Sequence, residues 1–184
     1  FSTDRIFKRI NTLLSQNISV EEDDKVNESY TEAIAVLFNT IIISVLTNRN
    51  FDELIKIEIN YSLFQIAKII NFYGGNDKNQ IFLDNDNHIQ IKQTTSVCSY
   101  FIIKTFILLS YDKFLDFWKR TGFALVRANR DEYVELYKNM LEFAKSRSEN
   151  MHNDDVNKFI EDLDSIDKNS FIYKTMRMTC LELY

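Results

Sequence analysis

Apolar side chains recur every three to four positions along most of this chain, and the pattern breaks where helices start or stop. Residues 2–16 put Ile6, Ile10, Leu13 and Leu14 on one face, which predicts an amphipathic first helix followed by an acidic linker over 17–27. Ser29 stands three residues before Glu32, a reciprocal capping pattern that predicts a helix from there to about Leu46. Asn50 and Glu53 repeat the device. The helix they open carries Leu54, Ile57, Tyr61, Phe64, Ala67 and Ile70 on one side until Gly74 and Gly75 end it. The period then changes from about 3.6 to 2. Ile81 and Leu83 face Ile89 and Ile91 across an Asp-Asn-Asp-Asn stretch, which reads either as one short β-hairpin near 81–91 or as an ordered loop. Helices resume over about 96–109, 112–127, 131–147 (opened by Asn129 and Glu132), 154–164 and 169–183.

The expected fold is therefore all-α, a compact multi-helix bundle of about seven or eight helices. It forms a single domain over residues 1–184, with 1–75 and 96–184 as its natural halves. Composition strengthens this reading: no proline and three glycines in 184 residues leave few helix breakers. The abundant asparagine, isoleucine and lysine fit an AT-rich coding bias and carry no functional weight. The apolar runs 33–46 and 97–111 fall short of the roughly 20 residues a bilayer requires and contain polar interruptions, so they read as buried core helices with no membrane span. Phe1 in place of a methionine suggests a trimmed start, and no signal peptide is evident. Cys98 and Cys180 lie in apolar surroundings, as small buried hydrophobes of an intracellular, cytoplasmic protein.

Charge and motif content exclude several classes. The net charge is −5 and no long basic run occurs, which argues against nucleic-acid binding, since that rests on clustered Lys and Arg. The nearest approach to a basic patch is Lys119, Arg120, Arg127 and Arg130. The Asp84 to Ile89 stretch resembles the start of a calcium loop, but Ile89 and Thr95 stand where that loop needs glycine and a bidentate glutamate. His88 and His152 are the two histidines, and neither is spaced from a cysteine for zinc or nucleophilic catalysis. The Gly74-Gly75 pair is followed by no phosphate-loop lysine. No enzymatic activity, cofactor or metal is expected.

Residues 111–123 hold the single tryptophan, Trp118, flanked by Phe114, Phe117 and Phe123. Phe114, Leu115 and Trp118 form one stripe and read as core anchors. Phe117, Phe123 and Tyr111 remain as aromatic contacts for a partner, a residue class enriched at binding hot spots. Residues 106–118, then 137–150 and 170–183, resemble in order and spacing the later helices of a regulator of G-protein signalling (RGS) domain. The resemblance covers at most residues 96–184. In that family the turn before the Phe-Trp helix carries a Glu-Asn pair that meets the Gα switch regions; here Asp112, Lys113 and Phe114 occupy it. Asn150 stands where the family's later contact loop carries asparagine. The resemblance implies a Gα-binding signalling domain with Asp112, Lys113 and Asn150 in its contact surface. The residues alone imply a non-enzymatic helical interaction module or assembly subunit whose partner is another protein.

Overall fold

A computed structural model describes residues 26–75, 91, 97–120, 153–181 and five positions between 134 and 142. The protein is all-α: among the described residues there is no strand, and the helices pack as one bundle. The expected amphipathic helix over 2–16, the linker after it and the expected turn at 84–87 lie outside the described residues, as does the hairpin except for Ile91, which is fully buried in the core.

Helix α1 spans Val26–Thr47 and α2 spans Phe51–Phe72. The start of α1 lies three residues before Ser29, which is therefore buried inside the helix and does not cap it. Glu28 in the first turn instead complements the helix dipole. At α2 the expected cap is present: Asn50 Oδ1 accepts from the Asp52 amide at 2.7 Å and from the Glu53 amide at 3.3 Å. The far end closes at Gly74, whose φ of 78° suits glycine alone, and the Gly75 amide reaches back to the Ile70 carbonyl at 2.9 Å. Every residue from Ser62 to Ile70 is buried, so α2 is the central helix, with α1 and the helix over 153–162 packed on it. Ile57, expected on the inner face, is exposed.

Residues Cys98–Ile103 form a π-helical turn that runs without a break into α3, Lys104–Leu109. From Phe101 to Ser110 every position is buried, as expected for a core helix. Helix α4 follows at Tyr111–Arg120. Phe114 is fully buried on it and meets the Tyr30 ring of α1 edge-on, centroids 5.2 Å apart. Trp118 lies in α4, but its side chain is outside the described residues. Helix α5 covers Asn153–Asp162, where one was expected, and its Phe159 ring packs on Phe64 of α2.

Two expectations are corrected. The apolar run 33–46 is core on one side only. Ala33, Val36, Leu37, Thr40 and Ile43 face inward, whereas Ile41, Ile42, Val45 and Leu46 face out, the last two at 75% and 67% exposure. Counted from Glu28 to Thr47, this stretch of 20 residues is long and apolar enough to cross a bilayer by length and composition, so the shortness of the run is no argument against a span. The expected helix over 169–183 is a single turn, α6 at Phe171–Lys174, capped by Ser170. Beyond it the helix stops at Thr175, which is extended at φ −113° and ψ 142°, and the chain then bends at Met178 and Cys180. The reason is competition for carbonyls. Lys68 Nζ donates to the Ile172 and Thr175 carbonyls at 2.8 and 2.5 Å, taking acceptors that a continuing helix would need for its own ladder.

Candidate functional site

The non-helical segment after α6, a strap that bends at Met178 and Cys180, lies across a polar seat built by three helices. Asn39 of α1 donates from Nδ2 to the Leu181 carbonyl at 2.7 Å. Glu58 of α2 accepts from the Leu181 amide at 2.9 Å, from the Cys180 amide at 3.3 Å and from the Thr179 hydroxyl. Lys104 of α3 donates to the Met178 carbonyl at 2.6 Å. Glu58 and Lys104 are both 0% exposed, and Lys68 nearly so. Buried charges of this kind persist only when hydrogen bonds replace their lost hydration, and the strap's main chain supplies those bonds. Ser62 and Gln65 lie on the same face of α2 as Glu58. Ser62 Oγ and both ends of the Gln65 amide are buried without a hydrogen-bond partner.

The electrostatics follow from this burial. Desolvation lowers the Lys104 ammonium from its ordinary 10.5 to about 8, opposed by the negative charges of Glu58 and Glu32. Desolvation raises the Cys180 thiol to about 12, and the Glu58 charge pushes in the same direction. The two shifts have opposite consequences for stability. Between pH 8 and 10.5 the unfolded chain holds a proton that folded Lys104 has released, so stability rises with pH. Above the ordinary thiol value of 9.0 the unfolded chain has lost a proton that folded Cys180 keeps, so stability falls. The urea midpoint is therefore expected to rise from pH 8 to 9, level off, and fall above about 10.5 as Lys104 stops contributing, with the rise missing in Lys104→Met. Urea titrations at half-unit pH steps check this. A midpoint that falls steadily from pH 8 in the wild type contradicts it.

The positions singled out by sequence are distributed differently. Tyr111 is half-buried at the start of α4, where its ring meets Phe51 and its hydroxyl donates to Asp52 Oδ1 at 3.3 Å. Asp112 and Lys113 are exposed beside it. Phe117, expected as an exposed contact, is 2% exposed and belongs to the core. It lies three residues from Phe114 on the same buried side of α4, and the bundle takes that pair inward. Phe123 and Asn150 lie outside the described residues, as do Arg127 and Arg130. Lys119 and Arg120 are exposed, with Lys119 3.8 Å from Asp116.

Asn39, Glu58, Lys68 and Lys104 were not singled out from the sequence, although the two lysines carried a signal. Lys104 is the one charge in the apolar run 97–110, and Lys68 is the one charge between Phe64 and Phe72; Glu58, with Lys56 and Asn60 beside it, carries no such signal. A cleft of about 340 Å³ lies beside the strap, lined by Lys68, Phe72, Tyr73, Tyr173, Lys174 and Met176 among others. Among the described residues, no group of three His, Cys, Asp or Glu is placed to hold a metal ion. Comparison of the chain with protein-family models, curated proteins and solved structures gives no match.

Proposed function

We propose that this chain is a non-catalytic helical module that works by binding another protein through the outer face of α1. The observation that carries the reading is the apolar stripe Ile41, Ile42, Val45 and Leu46, which stands exposed while the opposite face of the same helix is core. The spacing i, i+1, i+4, i+5 gives two adjacent aliphatic rows along one side of a helix, the surface that a partner helix with its own apolar stripe would cover. Leaving four large aliphatic residues in water on one side of a helix is costly without such use. The acidic balance of the chain, −5 overall, keeps it soluble while this face is open.

The test uses the full chain and an Ile42→Glu/Val45→Glu variant, both as bait in affinity purification from the native source, with quantitative mass spectrometry and titration of the purified partner. Both positions point to solvent, so the variant should keep the wild-type circular dichroism and melting temperature. The proposal expects at least a tenfold loss of partner affinity, a figure of the size that removing buried apolar contacts at an interface gives. Retention of every partner by the folded variant overturns it, as does partition of the wild type into phosphatidylcholine vesicles in place of protein binding.

A further inference from the structure

We infer that the cleft beside the strap is a binding site for a small amphipathic anion, an aliphatic chain of about eight carbons ending in a carboxylate, with Lys68 as its counter-ion.

Lys68 is the observation that points to a ligand. It lines the cleft, is 9% exposed, and donates from its ammonium to the Ile172 and Thr175 carbonyls at 2.8 and 2.5 Å. Those carbonyls flank Tyr173 and Lys174, which line the same cleft, so the ammonium sits at its strap side. An ammonium has three N–H groups to place, and two carbonyls leave one over. The Phe64 ring, centred 5.8 Å from Nζ, adds a cation–π contact. Carbonyl dipoles and a ring face offer only partial negative charge. Among the described residues no carboxylate forms an ion pair with Lys68, and burial holds its pKa below the ordinary lysine value with no neighbouring acid to oppose the shift. Lys104, the other buried lysine, has the negative charge of Glu58 near it. Buried charges are ordinarily paired, so a buried cation on the wall of a cleft is half of a pair whose other half the ligand brings.

The rest of the cleft suits an apolar chain. Its volume of about 340 Å³ lies at the lower end of the range for small-molecule sites. At about 30 Å³ for each non-hydrogen atom there is room for roughly ten, the size of an eight-carbon acid. Buried Ile69 and Leu163 form its deepest walls, and half-buried Val97, Tyr73 and Tyr173 its sides. Phe72 and Met176 stand exposed at the mouth. Lys174, also exposed there, adds a second positive charge, and among the described residues that line the cleft none is acidic. The walls therefore select an apolar body and the two lysines select its sign. No residue of α1 lines the cleft, so the site is separate from the outer face of that helix.

The test titrates the full chain by isothermal calorimetry with octanoate, with octanol, which keeps the chain and lacks the charge, and with acetate, which keeps the charge and lacks the chain. Octanoate should bind saturably at one site, octanol at least about tenfold more weakly, and acetate without saturation, because a charge-assisted hydrogen bond is worth about a factor of ten or more. Equal affinity for octanoate and octanol overturns the proposal, as does the absence of saturable octanoate binding. Nuclear Overhauser contacts locate the chain: the proposal expects them between the octanoate methylenes and the methyl groups of Ile69 and Leu163. Contacts to Ile41 and Leu46 in their place overturn it. Lys68→Met should bind octanoate at least about tenfold more weakly and octanol as the wild type does, a contrast that a general loosening of the strap does not produce. Wild-type affinity for octanoate in that variant overturns the proposal. Should Lys68→Met fail to fold, Lys174→Glu, at an exposed position, takes its place: octanoate weaker by about threefold with octanol unchanged supports the site, and unchanged octanoate affinity overturns it.

Discussion

Phe114→Ala is expected to lower the stability of this chain by about 4 kcal/mol, measured as the shift of the urea unfolding midpoint at constant slope. Phe114 is fully buried, and its ring meets Tyr30 edge-on at 5.2 Å, so it joins α4 to α1 across the bundle. Truncation removes the transfer energy of a whole ring and leaves a cavity that backbone on both sides cannot close, because close-packed interiors relax only in part. The edge-to-face contact adds about 0.5 to 1.5 kcal/mol beyond area. Against a domain stability of roughly 5 to 15 kcal/mol this is a large share. Phe114→Leu keeps most of the volume and should cost about 1 kcal/mol. Leu115→Ala, at a half-buried neighbour, should lie between the two. An Ala variant at position 114 as stable as the wild type would show that α4 does not belong to the cooperative core.

The same helix shows how far the sequence could be read. Its existence and its start near residue 111 follow from the pattern, as do the Asn50 cap and the left-handed Gly74 that bound α2. These signals are local: a side-chain oxygen reaching an amide two residues on, or a backbone angle open to glycine, needs no distant neighbour. Which face of α4 turns inward is not local. Phe114, Leu115 and Phe117 can make a stripe in two ways, and only packing across the bundle, with Phe114 against Tyr30, decides that Phe114 and Phe117 are buried while Leu115 is half-buried. For α1 the difficulty is similar, since the run 33–46 is apolar on both sides and composition does not say which side the bundle covers.

The strap was hidden for a different reason. From Phe171 to Leu181 the apolar residues Ile172, Met176, Met178 and Leu181 admit helical spacing, and no proline or glycine interrupts them. Local preference therefore favours a helix. It is overruled by two lysines and a glutamate more than 70 positions away, which compete for the backbone groups a helix would pair internally. Glu58, Lys68 and Lys104 look, in the sequence, like charges on helices. Their meaning appears only when three helices bring them beside one strand of chain.

That arrangement makes Glu58 the polar residue whose loss should matter most. Glu58→Ala is expected to cost about 3 kcal/mol, since hydrogen bonds to a charged acceptor are each worth more than neutral ones and their donors are left in a partly closed site. The loss also withdraws a negative charge that helps keep buried Lys104 protonated, so Lys104 should titrate lower still in the variant. Glu58→Gln keeps the size and one acceptor oxygen, and should lose about half as much. The two charges are coupled through the strap, and a double-mutant cycle exposes it. In a Lys104→Met background, Glu58→Gln should cost less than in the wild type, by about 0.5 to 2 kcal/mol, because the buried cation that the carboxylate balanced is gone. Amide exchange separates this from a general loss of stability. The Leu181 amide, which donates to Glu58 at 2.9 Å, should lose protection in Glu58→Ala by a larger factor than amides of the α2 core such as Ile66. An unchanged urea midpoint together with unchanged protection at Leu181 would mean that the strap is held by something other than its buried carboxylate.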